Sequence, residues 1–277
     1  MRALTVWLEG IGLLAPGIQN WESAQTLLRG EQTYTPAATL LPTPDLLPAA
    51  ERRRASRTVK LCLGLGLQAC AGAQRQASEL PSVFCSSNAD GHILHSICDT
   101  LAGPDRLISP TSFHNSVHNA ASGYWCIATH AMHASQVLAA YDATFSAGLL
   151  EAAVQSQANQ TPVLMLAYDC ELPAPLQALR PIPDAAGIGL VLHHERGANA
   201  CAALHIRLQT ADQAVASARA TPAQTLEVSP LTLSTLGHHI PALAGLSVLQ
   251  AVAKRATATV SLPYLPGLVM QVEVEPC

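Results

Sequence analysis

The spacing of apolar residues along the chain predicts several helices joined by polar turns. In Arg52–Ala73 the apolar residues recur every three or four positions, which predicts a long helix with one wide buried face. Residues 31–50 are rich in Pro and Thr and indicate an extended surface loop. The other helices that this spacing predicts are Trp21–Leu28, His92–Ala102, Ser116–His130, Ala143–Gln155 and Ala242–Ala256.

Short uninterrupted apolar runs predict strands between these helices, in the β-α-β order of a layered α/β fold. Two of the runs, Ile188–Leu192 and Ala202–Leu208, flank a polar segment that contains Gly197, and the pattern predicts a β-hairpin. The remaining predicted strands are Ser82–Cys85, Val137–Ala140, Pro162–Ala167, Thr257–Leu262 and Leu268–Val274.

The composition narrows the class of protein. The 277 residues are 49% hydrophobic, 12% charged and 4% aromatic, so the core must consist mainly of Ala, Leu and Val. The net charge is −4, and the only basic run is Arg52–Arg54, which argues against nucleic-acid partners. No window of about 18 residues is uninterruptedly apolar, so no membrane span is expected. The low charge predicts instead that a partner covers part of the surface.

The cysteines and the N-terminal segment predict a cytoplasmic protein. The eight cysteines include no CxxC pair, and we expect reduced, buried thiols. Glu9 interrupts the first apolar stretch, so that stretch is not expected to be an export signal. Cys126 is the most plausible nucleophile among the thiols, yet its place inside a predicted helix favours a packed core residue.

Most of the eleven histidines occur in close pairs, but the spacing suggests no third metal ligand and the chain has no HExxH motif. We therefore predict neither a metal site nor a cofactor. The pairs are His92/His95, His114/His118, His130/His133, His193/His194 and His238/His239.

One stretch carries a family signature. It begins with Ser109-Pro110, continues through Asn119 and Ser122-Gly123, and ends with Ala140-Tyr141-Asp142 before a predicted helix. This spacing resembles the β-ketoacyl synthase family, in which Ser-Pro, Asn and Ala-Gly precede a Thr-Ala-Cys nucleophile elbow. Weaker similarity extends the resemblance to about residues 50–210.

The resemblance implies a layered αβαβα thiolase-like fold, truncated to roughly the N-terminal half of the family plus a short C-terminal extension. We expect a single domain over 1–277, in which 1–210 resembles the ketosynthase half and 211–277 adds a helix and closing strands.

Two departures from the family bear on function. The family's nucleophilic Cys falls on Asp142, and a carboxylate is a feeble nucleophile toward thioesters. The alternative interpretation of Asp142 is an N-cap of the helix Ala143–Gln155. The family's two histidine motifs are also missing, since His238-His239-Ile240-Pro241 is not followed by Gly-Thr. We expect no catalysis by this chain alone.

Inactive members of the family are chain-length factors, which form heterodimers with an active ketosynthase, so the resemblance implies a ketosynthase partner and, through the complex, an acyl carrier protein. Ser116-Val117-His118-Asn119-Ala120 is similar to subunits of aryl polyene and xanthomonadin-type pathways. The candidate tunnel and interface residues are Ser112, Phe113, Ser116, Val117 and Asn119.

Other interpretations stay open. Phe113 and Val117 have the i, i+4 spacing of ordinary helix core. Asp142, with His114 or His118 as its partner, is also compatible with a stand-alone acyl-thioester hydrolase or decarboxylase. A structural homodimer would use the same interface.

Overall fold

The computed structural model describes residues 3–210, 212 and 236–277, and the strands in these ranges form one eight-stranded sheet. Its order is β3-β2-β4-β5-β1-β6-β8-β7. Neighbours among β2, β3 and β4 are parallel, and all other neighbours are antiparallel. The strands are β1 Leu4–Leu14, β2 Ser82–Cys85, β3 Ser135–Leu138, β4 Val163–Asp169, β5 Ala186–His193, β6 Ala202–Thr210, β7 Ala258–Pro263 and β8 Leu268–Pro276.

Helices cover both faces of this sheet and produce two separate cores. One core lies beneath α3 and α6, and the other lies beneath α1, α7 and α9. The described residues thus form one sheet between two helical layers. The helices are α1 Trp21–Leu28, α2 Ala49–Arg54, α3 Arg57–Ala73, α4 Gly91–Ala102, α5 Pro110–Asn115, α6 Ala120–Thr129, α7 Thr144–Asn159, α8 Ala174–Gln177 and α9 Leu246–Lys254.

The long helix α3 approaches the centre of the sheet closely because the strands beneath it have glycines. A Cβ atom at Gly10 would overlap the carbonyl oxygen of Ala69, and one at Gly12 would overlap that of Leu65. Gly66 of α3 in turn makes room for the indole of Trp125. The small residues of α3 therefore serve helix packing. In so closely packed a core, even one added methyl group changes the packing.

The predicted hairpin of β5 and β6 is wrong. β1 lies between these two strands and pairs antiparallel with both, for example Trp7 with His193 and with Ala203. Residues 194–201 therefore cross the end of β1 instead of making a tight turn. β1 is buried from Leu8 to Leu14, as a strand covered on both faces should be, although Glu9 interrupts its apolar residues. Its central place completes the hydrogen bonds of its neighbours.

Two helix boundaries also differ from the prediction. The helix predicted over Arg52–Ala73 divides into α2 and α3, because the Ser56 hydroxyl accepts a hydrogen bond from the amide of Val59 and caps α3. The helix predicted over Ser116–His130 is α6, which begins only at Ala120. A separate short helix, α5, precedes it, with Ser109 as its N-cap and Pro110 in its first turn. The other predicted elements are confirmed to within a few residues.

The described residues include no helix with both the length and the hydropathy that a bilayer crossing needs. Of the predicted C-terminal extension, residues 211 and 213–235 lie outside the described residues. The division of the chain at residue 210 stays a prediction, although β6 on one side of it pairs with β8 on the other.

The contact between Gly66 and Trp125 can be tested by one added methyl group. We expect Gly66→Ala to lower the free energy of unfolding by about 1–3 kcal/mol, because the methyl group overpacks the core. Gly123→Ala in α6 is the matched control, since a Cβ atom there has no neighbour within 4 Å. It should be neutral or stabilising by up to about 1 kcal/mol. Equal urea-unfolding midpoints for the two variants would contradict the packing argument.

Candidate functional site

A sharp turn joins β3 to α7 at the position of the predicted elbow. Tyr141 adopts a left-handed backbone conformation with φ of 53°, which is strained for a residue other than Gly. The Thr144 hydroxyl accepts a hydrogen bond from the amide of Ala140 at 3.0 Å and donates one to the carbonyl of Tyr141 at 2.6 Å. These two bonds hold the turn in place.

The Asp142 side chain points away from the interior. It is 65% exposed, and its Oδ1 accepts a hydrogen bond from Arg180 Nη2 at 2.7 Å. The guanidinium carbon of Arg180 also lies 3.9 Å from the centre of the Tyr141 ring. Asp142 is not the N-cap of α7, because Ala143 occupies that position and no side chain caps it. The carboxylate is thus engaged by a cation at the surface.

Phe145 is the large side chain of this turn that is buried in the protein interior. It lies in the first turn of α7, and its side chain is almost completely buried. Its ring packs against Gly245, where a Cβ atom would overlap it. The sequence analysis missed this residue. An aromatic residue in the first turn of a predicted helix could have indicated it. The sequence, however, does not show which way the side chain points.

The segment Ser109–Asn119 lies on the surface. Phe113 is 65% exposed and Val117 is 48% exposed, so their interpretation as ordinary helix core is wrong. Ser112 and Ser116 are partly exposed, and Asn119 is exposed. These five candidate residues therefore lie together along one short stretch of surface.

The two histidines of this segment do not act with Asp142. His118 Nε2 lies 3.2 Å from the carbonyl oxygen of Ser86, and the His114 ring contacts Tyr124 edge to face. Asp142 has Arg180 as its partner instead. The predicted pairing of Asp142 with either histidine is not observed.

The cysteines are only partly as predicted. Cys62, Cys70, Cys85 and Cys170 are buried, but Cys98, Cys201 and Cys277 are exposed, so the prediction that all are buried is wrong. Cys126 is half-buried in α6, and burial raises the pKa of its thiol. A raised pKa disfavours the thiolate that a nucleophile would need.

A buried carboxylate ties three segments together beneath the surface. Asp169, at the end of β4, is fully buried and accepts hydrogen bonds from Ser86 Oγ, from the amide and hydroxyl of Ser87, and from the amide of Ala242. Burial raises the pKa of the Asp169 carboxyl to about 6, although these hydrogen bonds oppose the shift. Asp169 thus fixes the loop after β2 and the turn Pro241–Leu243.

A family model describes this arrangement. The model for the N-terminal domain of β-ketoacyl synthase matches residues 19–242, which is most of the chain. The chain belongs to the β-ketoacyl synthase family. The resemblance inferred from Ser109–Asp142 is confirmed, and so is the thiolase-like ketosynthase fold.

Solved structures of the ketosynthase fold match the chain along its whole length. A chain of the ketosynthase ApeO in complex with its chain length factor ApeC, from Xenorhabdus doucetiae, has 19% identity and a TM-score of 0.69, with 97% of this chain and 99% of that chain covered. The ishigamide ketosynthase/chain length factor has 13% identity, coverage of 98% and 99%, and a TM-score of 0.70.

A third ketosynthase structure, the AntDE:AntF complex of a type II acyl-carrier protein with its ketosynthase, has 13% identity, a TM-score of 0.73 and full coverage of both chains. A search of curated proteins found no match.

The Asp169 carboxyl predicts a pH dependence of stability. Its pKa is about 6 in the folded chain and 3.8 in the unfolded one, so the folded state holds a proton more tightly. The free energy of unfolding should therefore fall as pH rises from about 4 to about 6, at up to about 1.4 kcal/mol per pH unit. Asp169→Asn should remove this part of the slope. Urea unfolding at several pH values measures both free energies of unfolding. If the difference between wild type and Asp169→Asn stays constant from pH 4 to 7, Asp169 is not the source of the slope.

Proposed function

We propose that this chain is a non-catalytic chain-length factor that forms a heterodimer with an active β-ketoacyl synthase. Helix α4 is the observation that carries the proposal. Of its 12 residues only Gly91 is buried, whereas Leu94 is 51% exposed and Leu101 is also exposed. An isolated helix of this length is marginal in water. An apolar helix that is this exposed therefore indicates a partner that covers it.

The exposed apolar surface continues beyond α4, and we call it the α4–β3 face. It contains no Asp, Glu, Lys or Arg from Leu107 through Tyr141. Depletion of charge and enrichment in apolar residues characterise the buried centre of a protein interface. The exposed large apolar residues of the face are Leu94, Leu101, Leu107, Phe113, Val117, Ile127 and Met132.

Strand β3 borders this face and forms one edge of the sheet. Among the described strands it pairs with β2 alone. A free edge presents unpaired backbone N–H and C=O groups, to which another strand can add. An apolar face beside an open sheet edge is suited to a large, stable contact with a second protein of similar fold.

The elbow turn supports the non-catalytic part of the proposal. Condensation of acyl thioesters needs a strong nucleophile such as a thiolate at the start of the helix. Asp142 is held at the surface by Arg180, and Phe145, which faces inward, has no nucleophilic atom. The chemistry would then belong to the ketosynthase partner, and a carrier protein would deliver the growing chain to the complex.

The candidate tunnel residues extend this proposal to the product. Phe113 and Val117 project from the α4–β3 face, with Ser112 and Ser116 beside them, so all four could reach a partner's acyl tunnel. The resemblance of Ser116–Ala120 to aryl polyene subunits supports a polyene chain as the substrate. We infer that this cytoplasmic heterodimer limits how far the polyene grows.

The proposal is tested by co-expression of the chain with the ketosynthase encoded beside it, followed by native mass spectrometry. We expect a 1:1 complex, and an insoluble product when this chain is expressed alone. Leu94→Glu should reduce the complex at least tenfold, because it places a charge in the apolar contact. Leu265→Glu is the matched control, since Leu265 is 50% exposed in the turn between β7 and β8.

Three outcomes would contradict the proposal. One is a stable lone monomer that does not bind the ketosynthase, and another is a homodimer of this chain. The third is equal loss of the complex in both glutamate variants, which would place the contact elsewhere.

The role of Ser112 can be tested through the products of the complex. Ser112→Phe should shorten the polyene by one or more extension cycles, because the larger side chain fills the end of the tunnel. Ser261→Phe, at an exposed position of β7, is the control and should leave the products unchanged. Mass spectrometry of the carrier-bound products measures the polyene length for both variants. Unaltered products from an intact Ser112→Phe complex would remove this residue from the tunnel.

A further inference from the structure

The loop between β5 and β6 crosses a buried carboxylate. The register of β1 against β5 shifts between Leu8 and Gly10, which indicates a β-bulge at Glu9. A bulge redirects a side chain, and here the Glu9 carboxylate is buried beneath the loop. Gly197 passes so close to it that a Cβ atom would overlap Glu9 Oε1. The loop is thus shaped around this carboxylate.

Two side chains contact the Glu9 carboxylate. Arg75 donates two hydrogen bonds to it, from Nε at 2.6 Å and from Nη2 at 3.1 Å. His193 Nδ1 lies 3.5 Å from Glu9 Oε1 and 2.9 Å from the carbonyl oxygen of Glu195. Both neighbours of Nδ1 are acceptors, so Nδ1 carries the proton. The other ring nitrogen of His193, Nε2, therefore has a free lone pair.

His194 and Glu195 add two more donors beside His193. The two imidazole rings are 4.5 Å apart, and His194 Nε2 lies 4.0 Å from Glu195 Oε2. His194 Nδ1 is buried and has no hydrogen-bond partner among the described residues. One ligand atom from each of the three residues lies within 4.8 Å of the other two. A ligand bound at His194 Nδ1 would supply the partner that this buried nitrogen lacks.

We propose that His193, His194 and Glu195 bind one divalent transition-metal ion of the zinc class. Two imidazoles and a carboxylate are a donor set that Zn²⁺ accepts, with water completing the coordination. Ligand atoms of one zinc ion lie about 3–4 Å apart, so the three donors need only a small adjustment. Glu195 can make it, because its side chain is 72% exposed. The Glu195 carbonyl accepts the hydrogen bond from His193 Nδ1, and the Glu9 carboxylate, 3.5 Å from the same nitrogen, lies beside it as an outer carboxylate.

The position of this site gives it a structural role. β5 runs antiparallel to β4, so His193 lies near the start of β4, where Val163 pairs with Leu192. Asp169 is at the opposite end of β4. The ion would therefore fix the crossing loop to β1 at the end of the strands opposite to Asp169. This inference goes beyond the proposed function and does not depend on a ketosynthase partner.

Calorimetric titration of the untagged, EDTA-treated chain with Zn²⁺ tests the site. We expect one ion per chain, and His194→Gln and Glu195→Gln should each weaken binding at least tenfold. Glu9→Gln should weaken it about 10–100-fold without removing a ligand. His205→Gln is the control, since His205 bonds Thr5 and Glu275 on the β6–β8 surface. Circular dichroism checks that each variant is folded.

Titration with Co²⁺ adds a readout that weak surface binding does not produce. Bound Co²⁺ should give visible absorption typical of nitrogen and oxygen ligands, and this absorption should be lost in His194→Gln. A wild-type chain that does not bind Zn²⁺ saturably would overturn the proposal. Binding that persists unchanged in folded His194→Gln and Glu195→Gln would also overturn it, because the ion would then be held by other histidines.

Discussion

The close contact of α3 with the glycines of the central strands is the constraint on which the rest of the structure depends. Gly10 and Gly12 of β1 and Gly189 of β5 let the helix backbone lie almost directly on the sheet. Beneath α3, β1 lies between β5 and β6, so the 194–201 loop crosses the end of β1. The loop then passes over Glu9, where the proposed metal ligands are found.

The same contact leaves the two ends of the sheet unequal. Helices α3, α6, α7 and α9 cover the central strands on both faces, so most side chains of these strands are buried. Helix α4 has no buried side chain, and the strands of the described residues leave β3 at an open edge of the sheet. A core built from Ala, Leu and Val leaves its exposed apolar residues concentrated near this edge, where a partner would contribute the missing contacts.

The sequence predicted most of this fold because periodicity reports local structure. It located α1 and β2 to the residue and recognised the β-ketoacyl synthase signature in Ser109–Asp142. It did not reveal that β1 separates β5 from β6, because pairing over nearly two hundred residues leaves no local pattern. For the same reason the sequence did not show that the Asp142 side chain points to the surface and that of Phe145 to the interior. Spacing also did not indicate that the Glu195 carboxylate approaches the rings of His193 and His194, since that approach depends on the loop conformation.

Photo-cross-linking within the co-expressed complex tests the central claim most directly. Phe113 and, in a separate variant, Leu265 would be replaced by the photoreactive residue p-benzoylphenylalanine. The two positions are both at least half exposed but lie in the α4–β3 face and in the β7–β8 turn, respectively. We predict a cross-link to the ketosynthase from position 113 and none from position 265. A cross-link to a second copy of this chain from position 113, or one to the ketosynthase from position 265 alone, would contradict the account.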